Sequence, residues 1–137
     1  MFILDTGLFV TLVYKDRDFT DNEIYMKLLN DKQHTDLGYV YENMVAQMTA
    51  VKGDALYYYT FPSTTSNHNY EIDFLLIRHN KLCPIEVKSS GYKAHASLDK
   101  FYKKHSSRIG QRYLVYTKDW AKDQDIVCLP IYMYPFV

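Results

Sequence analysis

Cysteine is scarce in this 137-residue chain, with only Cys83 and Cys128. Two thiols cannot build the disulfide framework of a small secreted domain, so they read as reduced thiols of a cytoplasmic protein. Glycine and proline are few as well, five and four, and no linker, repeat or low-complexity tract divides the chain. No run reaches the roughly 18 consecutive apolar residues of a membrane helix, so no membrane partner is expected. Basic residues are also missing from the first stretch, where Met1-Phe2-Ile3-Leu4 meets Asp5 at once, so no signal peptide is expected there. Net charge is absent too, at 16 Lys/Arg against 16 Asp/Glu. Taken as a total, that balance argues against a polyanionic partner.

What is present changes that reading. Hydrophobic residues make up 47% of the chain and aromatics 16%, enough for one domain over 1–137 with its own core and far from a disordered composition. Residues 1–60 hold nine acids and five bases, while 61–137 hold seven acids and eleven bases. Nine Lys/Arg lie between Arg78 and Arg112 against two acids, Glu86 and Asp99. A local positive field attracts polyanions whatever the far side carries.

Periodicity supplies the elements. Thr20-Asp21-Asn22-Glu23 is a capping box before a short amphipathic helix with Ile24, Leu28 and Leu29. Leu37, Val40, Tyr41, Met44, Val45, Met48 and Val51 recur at helical spacing. Thr35 or Asp36 would cap that helix and Gly53 would stop it. Strands are expected at 56–61, 70–77, 82–89, 111–117 and 126–134, and a helix at 97–109 with Leu98, Phe101, Tyr102 and Ile109 inward. The order α-α-β-β-β-α-β-β predicts an α/β (α+β) fold, a mixed sheet flanked by helices.

The chemistry concentrates on one expected hairpin, Tyr70-Glu71-Ile72-Asp73-Phe74-Leu75-Leu76 and Pro84-Ile85-Glu86-Val87-Lys88-Ser89-Ser90. Closing it at His79-Asn80 pairs Asp73 with Glu86 and Glu71 with Lys88, and a one-residue slip would turn Asp73 to the other face. Two opposed carboxylates repel, and a divalent cation such as Mg²⁺ would relieve them. Glu86 and Lys88 share a face. Lys88 could then orient or help deprotonate an attacking water, or stabilise phosphate charge, which suits phosphodiester hydrolysis. An acid-x-Lys tripeptide alone is expected by chance in this composition. The apolar setting, the match to Asp73 and the basic helix downstream give it weight. A Lys88–Glu71 cross-strand ion pair is the competing reading.

Glu42, Asp73 and Glu86-Val87-Lys88 together resemble the PD-(D/E)XK nuclease superfamily, with its restriction-endonuclease-like fold. Phe2-Ile3-Leu4-Asp5-Thr6-Gly7-Leu8, Gly38-Tyr39-Val40-Tyr41-Glu42-Asn43, Tyr70–Phe74 and Pro84–Ser90 resemble more closely an uncharacterised C-terminal domain of prokaryotic AAA-type ATPases. The resemblance implies a nuclease-like αβββαβ core over 36–137, after a leading segment 1–35. It implies Asp73 and Glu86 as Mg²⁺ (or Mn²⁺) ligands, with the Val87 carbonyl a third, Glu42 a ligand directly or through water, and Lys88 the catalytic lysine. It also implies an AAA-type ATPase module in full-length relatives. This sequence has no Gly-x-x-x-x-Gly-Lys-Ser/Thr, so ATP hydrolysis is not expected of it, and it is expected to begin inside the family's C-terminal domain. Ile72 stands where the superfamily's name has proline.

Lys93, Lys100, Lys103 and Lys104 are the candidates for sequence-independent phosphate contacts with DNA. The five histidines and two cysteines form no zinc pattern, and of the tyrosines, which are open to a base-stacking role, Tyr57-Tyr58-Tyr59, Tyr132 and Tyr134 fall in expected strands. Two rivals stand beside the nuclease reading: a non-catalytic DNA- or protein-interaction module detached from an ATPase, and a structural remnant whose exposed apolar surface drives homo-oligomerisation.

Overall fold

Among the residues that the computed structural model describes (38–63, 67, 69–90 and 93–137), the chain forms a mixed six-stranded sheet and two α-helices. The helix expected near 20–29, the Thr35/Asp36 cap, Leu37 and the Phe2–Leu8 motif lie outside those residues. The elements run α1 (Gly38–Val51), β1 (Tyr57–Pro62), β2 (Asn69–Arg78), β3 (Lys81–Lys88), α2 (Ala96–His105), β4 (Arg112–Tyr116), β5 (Ala121–Asp123) and β6 (Ile126–Pro130). Short 3₁₀ segments follow α2 (Ser106–Arg108) and β6 (Ile131–Phe136). The first six elements therefore read αβββαβ, and the whole is an α+β fold. No helix among these residues is long and apolar enough to cross a membrane.

Sheet order is β1-β2-β3-β4-β6-β5. β1–β2, β2–β3 and β6–β5 pair antiparallel, while β3–β4 and β4–β6 pair parallel. Among the described residues, each face is covered by one helix. Val45 and Ala46 of α1 pack with Phe74, Leu76, Cys83, Ile85, Val87, Val115 and Tyr134 on one side. Leu98 and Phe101 of α2 pack with Phe61, Ile72, Ile109, Leu114, Tyr116, Ile126 and Cys128 on the other. Both thiols are thus small core residues, and burial pushes their pKa up.

The α1 stripe differs from the expected one. Asn43 and Thr49 are buried beside Val40, Val45 and Ala46, while Val51 is exposed. A polar group tolerates burial when its hydrogen bonds are made, and the Thr49 hydroxyl donates to the Val45 carbonyl and is 2.7 Å from the Tyr134 hydroxyl. Gly53 stops the helix as expected, with φ +79° and its N–H bonded to the Ala50 carbonyl. Only glycine takes that conformation without strain. No side-chain clash awaits a Cβ there, so Gly53→Ala is expected to cost about 1 kcal/mol from backbone strain alone, read as a lower urea midpoint.

Three further departures have local causes. Tyr102 is half exposed because it lies flat against the Arg112 guanidinium, 4.6 Å from ring centre to Cζ, instead of entering the core. The last strand stops at Pro130, and Tyr132 and Tyr134 sit in the 3₁₀ segment that follows, Tyr134 buried and Tyr132 exposed. β5 was not foreseen: Ala121, Lys122 and Asp123 are all exposed and show no apolar alternation.

Candidate metal centre

The site is built where β2 and β3 part. His79 and Asn80 both have positive φ, 50° and 60°, the two-residue turn whose twist matches a hairpin. That turn fixes the ladder from Arg78–Lys81 to Phe74–Ile85, in the register expected. The regular ladder ends there, one residue short of the expected Asp73–Glu86 pair. Instead the Asp73 carboxylate accepts the Val87 backbone N–H at 2.7 Å.

On the other side of β2 the register with β1 also slips. Tyr57 pairs with Leu75 but Tyr59 with Ile72, so Asp73 and Phe74 both oppose Tyr58. This is a β-bulge, which bends a strand and re-aims a side chain. Its effect shows in the core: Phe74 and Leu76 point to the α1 side, whereas Ile72, at the same parity, points to the α2 side. Asp73 sits at the changeover.

Glu86 is 5% exposed and faces α2. One of its oxygens is 2.8 Å from the Lys88 ammonium, while the other is buried with no hydrogen-bond partner among the described residues. Lys88 therefore takes Glu86 as its carboxylate partner rather than Glu71. Burial pushes the Glu86 carboxyl above its ordinary range, against the lowering pull of Lys88. Asp73 is pushed up to about 7, chiefly by burial, with the negative charges of Glu42, Glu86 and Glu71 adding to it and the Val87 N–H opposing. Glu42 on α1 is thus near enough for its charge to reach Asp73, so all four expected site residues act on one neighbourhood.

Among the described residues, Asp73 and Glu86 feel each other's field, with Lys88 and His95 the positive groups that act on Glu86. A buried carboxylate oxygen left unpartnered among the described residues and a carboxyl pushed up to about 7 suit a cation as a neighbour, and the all-oxygen donor set suits a hard one, Mg²⁺ or Mn²⁺. Among the described residues no group of three or more His, Cys, Asp or Glu gathers around one point. A cation here would draw two carboxylates from the chain and complete its shell with carbonyl oxygen and water, as Mg²⁺ commonly does.

The expected phosphate-contact lysines divide. Lys93, Lys100 and Lys103 are exposed, before and along α2. Lys104 instead leans back over β1: its ammonium is 3.2 Å from the Tyr59 hydroxyl and lies over the Tyr59 and Phe61 rings.

A neighbouring polar cluster had no signal in the sequence. His95, just before α2, touches Asp99 at 2.9 Å and Asp123 of β5 at 3.2 Å, and Asp99 accepts from the buried Arg112 at 2.9 Å. Burial lowers the His95 pKa, but the two carboxylates outweigh it and raise it overall. His95 is also near enough to Glu86 to lower that carboxyl. Its partners lie four and 28 residues away, and only the sheet order brings β5 to α2.

The family model described as "Domain of unknown function (DUF4143)" matches residues 37–134. The chain belongs to this DUF4143 family. No curated protein and no solved structure matches it. The matched span contains α1, the bulged hairpin, α2 and the strands beyond, so Glu42, Asp73, Glu86 and Lys88 all fall within the DUF4143 domain.

Proposed function

We propose that this chain is a metal-dependent phosphodiester hydrolase of the PD-(D/E)XK type, acting on DNA. The observation that carries the reading is the half-buried Asp73 beside the buried Glu86, with Lys88 on one Glu86 oxygen and the other oxygen unpartnered among the described residues. The αβββαβ element order and the resemblance of Glu42, Asp73 and Glu86-Val87-Lys88 to that superfamily support it. The resemblance to the C-terminal domain of AAA-type ATPases supports an ATPase module as its partner in longer relatives.

Asp73 and Glu86 would hold Mg²⁺ or Mn²⁺, with Glu42 and the Val87 carbonyl beside them. A bound cation supplies Lewis-acid polarisation of the phosphoryl oxygen. The chain's own groups do the rest. The Val87 N–H holds one Asp73 oxygen in place, which aims the other. Lys88 is 31% exposed at the side chain, so its ammonium can reach both Glu86 and a substrate. From there it can donate to an attacking water or to a phosphate oxygen as charge develops. Lys93, Lys100 and Lys103 offer sequence-independent phosphate contacts, which makes DNA binding local and salt-sensitive.

The test is cleavage of linear, circular and branched DNA with Mg²⁺ or Mn²⁺, run beside Asp73→Ala. Metal-dependent cleavage that disappears in the variant is the expected result; cleavage that persists points to a contaminant and overturns the assignment. If calorimetry finds no metal binding and DNA binds all the same, the non-catalytic interaction module replaces it.

A further inference from the structure

His95 has a carboxylate on each side of its ring. Nδ1 lies 2.9 Å from an Asp99 oxygen, four residues on in α2, and Nε2 lies 3.2 Å from an Asp123 oxygen on β5. An aspartate in its ordinary range is ionised at neutral pH and only accepts hydrogen bonds. A neutral imidazole has one N–H and one bare nitrogen, so it satisfies one of these oxygens and turns a lone pair to the other. Only the imidazolium, with a proton on both nitrogens, serves the two at once. With both nitrogens so engaged, the ring is not offered to a metal.

The two arms are unequal. Asp99 belongs to the same helix as the ring it holds, and its other oxygen accepts from the buried Arg112 of β4. Asp123 makes the longer contact, has a side chain 53% exposed and lies at the edge of the sheet. β5 is only Ala121–Asp123, all three exposed, and among the described residues its partner strand is β6. No apolar side chain of β5 is buried to hold it, so one ion pair is a large share of what keeps the strand in place. Glu86 of β3 feels the ring's charge through space and has Lys88 as its own ion-pair partner.

We infer that His95 is a proton-operated clasp between α2 and the edge strand β5, closed when both ring nitrogens carry a proton and open on the β5 side when one is bare. Burial of the ring opposes the charge, but Asp123 and Asp99 outweigh it and raise the His95 pKa above the usual 6.5. The clasp therefore contributes fully below about pH 6.5, and its contribution is lost as pH rises through the folded value. Mildly alkaline solution loosens β5 and bares the outer edge of β6, while both packed faces of the sheet stay intact. The clasp does not depend on the hydrolase reading.

In the full-length chain, histidine ring C–H signals are followed by NMR from about pH 5.5 to about 9, a range that brackets histidine titration. The signal lost in His95→Gln identifies His95. Amide–water exchange of Ala121–Asp123 is measured at each pH and corrected for intrinsic rates. Amides of β4, inside the sheet, report global opening, which also changes in this range because Asp73 titrates at about 7. His95 is expected to titrate above 6.5, and β5 exchange to quicken about fivefold relative to β4 as it does, the scale of one partly exposed ion pair. Glutamine sets an amide donor near the place of Nε2 and keeps it at every pH, so His95→Gln should hold β5 with no step. Asp123→Asn offers the ring a donor as well as an acceptor, and should both lower the His95 midpoint and remove the step. A His95 midpoint at or below 6.5 overturns the inference. So does β5 exchange that keeps pace with β4 through the titration, or a step of equal size in His95→Gln.

Discussion

Lys88→Gln is expected to lower DNA cleavage about a thousandfold, the scale of removing one group that stabilises developing charge, without loss of metal binding. The ammonium sits 2.8 Å from one Glu86 oxygen, so in the metal-free chain it competes for the very carboxylate that a cation needs. Glutamine, one atom shorter, keeps a hydrogen-bond donor but removes the positive charge. Glu86 is then freer to accept a cation, and calorimetry with Mn²⁺ should find affinity equal to or higher than the wild type. Single-turnover cleavage measures the other half. The pattern separates a catalytic lysine from a structural ion pair. A merely structural Lys88 predicts lost stability, no metal binding in either protein and no activity to lose. Cleavage within about threefold of wild type in Lys88→Gln would remove Lys88 from the mechanism, since even one lost charge-stabilising contact exceeds that.

The second large effect is on stability, and it runs against the usual direction for a buried-site mutation. Asp73→Asn is expected to stabilise the metal-free chain at pH 8 by about 4 kcal/mol. The Asp73 carboxyl ionises near its ordinary 3.8 when unfolded and at about 7 when folded. Between those values the folded chain holds a proton that the unfolded chain has released. Stability contributed by this group is therefore greatest below about pH 4 and falls as pH rises towards 7, and above 7 the loss is complete. A gap of about three pK units at about 1.4 kcal/mol each sets the scale. Asparagine is neutral throughout, keeps an oxygen for the Val87 N–H, and escapes the penalty. Urea unfolding in chelator should show the variant more stable at pH 8 and the difference gone near pH 4. Adding Mg²⁺ at pH 8 should stabilise the wild type and not the variant. A variant less stable than wild type at pH 8 would mean that Asp73 is ionised and satisfied without a cation.

The hairpin register was legible because it depends on local turn chemistry. His79-Asn80 can take two consecutive positive φ values, and that choice alone fixes which residues of β2 and β3 face each other. The helix stop at Gly53 was legible for the same reason. The bulge at Asp73 was not, because alternation of Ile72, Phe74 and Leu76 looks regular in sequence while the strand shifts sides between the first two. Buried Asn43 and Thr49 broke the apolar stripe of α1 because a polar side chain with its hydrogen bonds made is as good a core residue as valine at that place. The His95–Asp123 tie depends on β5, whose three exposed residues carry no strand pattern. The acidic residues and the lysine of the proposed site were singled out from spacing and resemblance. Their strained electrostatics needed the burial that only the fold provides.

The bulge also separates two properties that a deletion scan could pull apart. The β2–β3 ladder from Phe74 to Arg78 is anchored by its own turn, and the outer pairs from Tyr59 to Pro62 are anchored by β1. The surplus residue lies between them. Removing one position at Asp73–Phe74 would let both halves of β2 keep their partners and straighten the strand, while dismantling the acidic pair. The chain would keep its architecture and lose its chemistry through the absence of a single residue. For a lineage of such domains, that would make loss of the proposed hydrolase activity a one-codon event that the fold does not oppose.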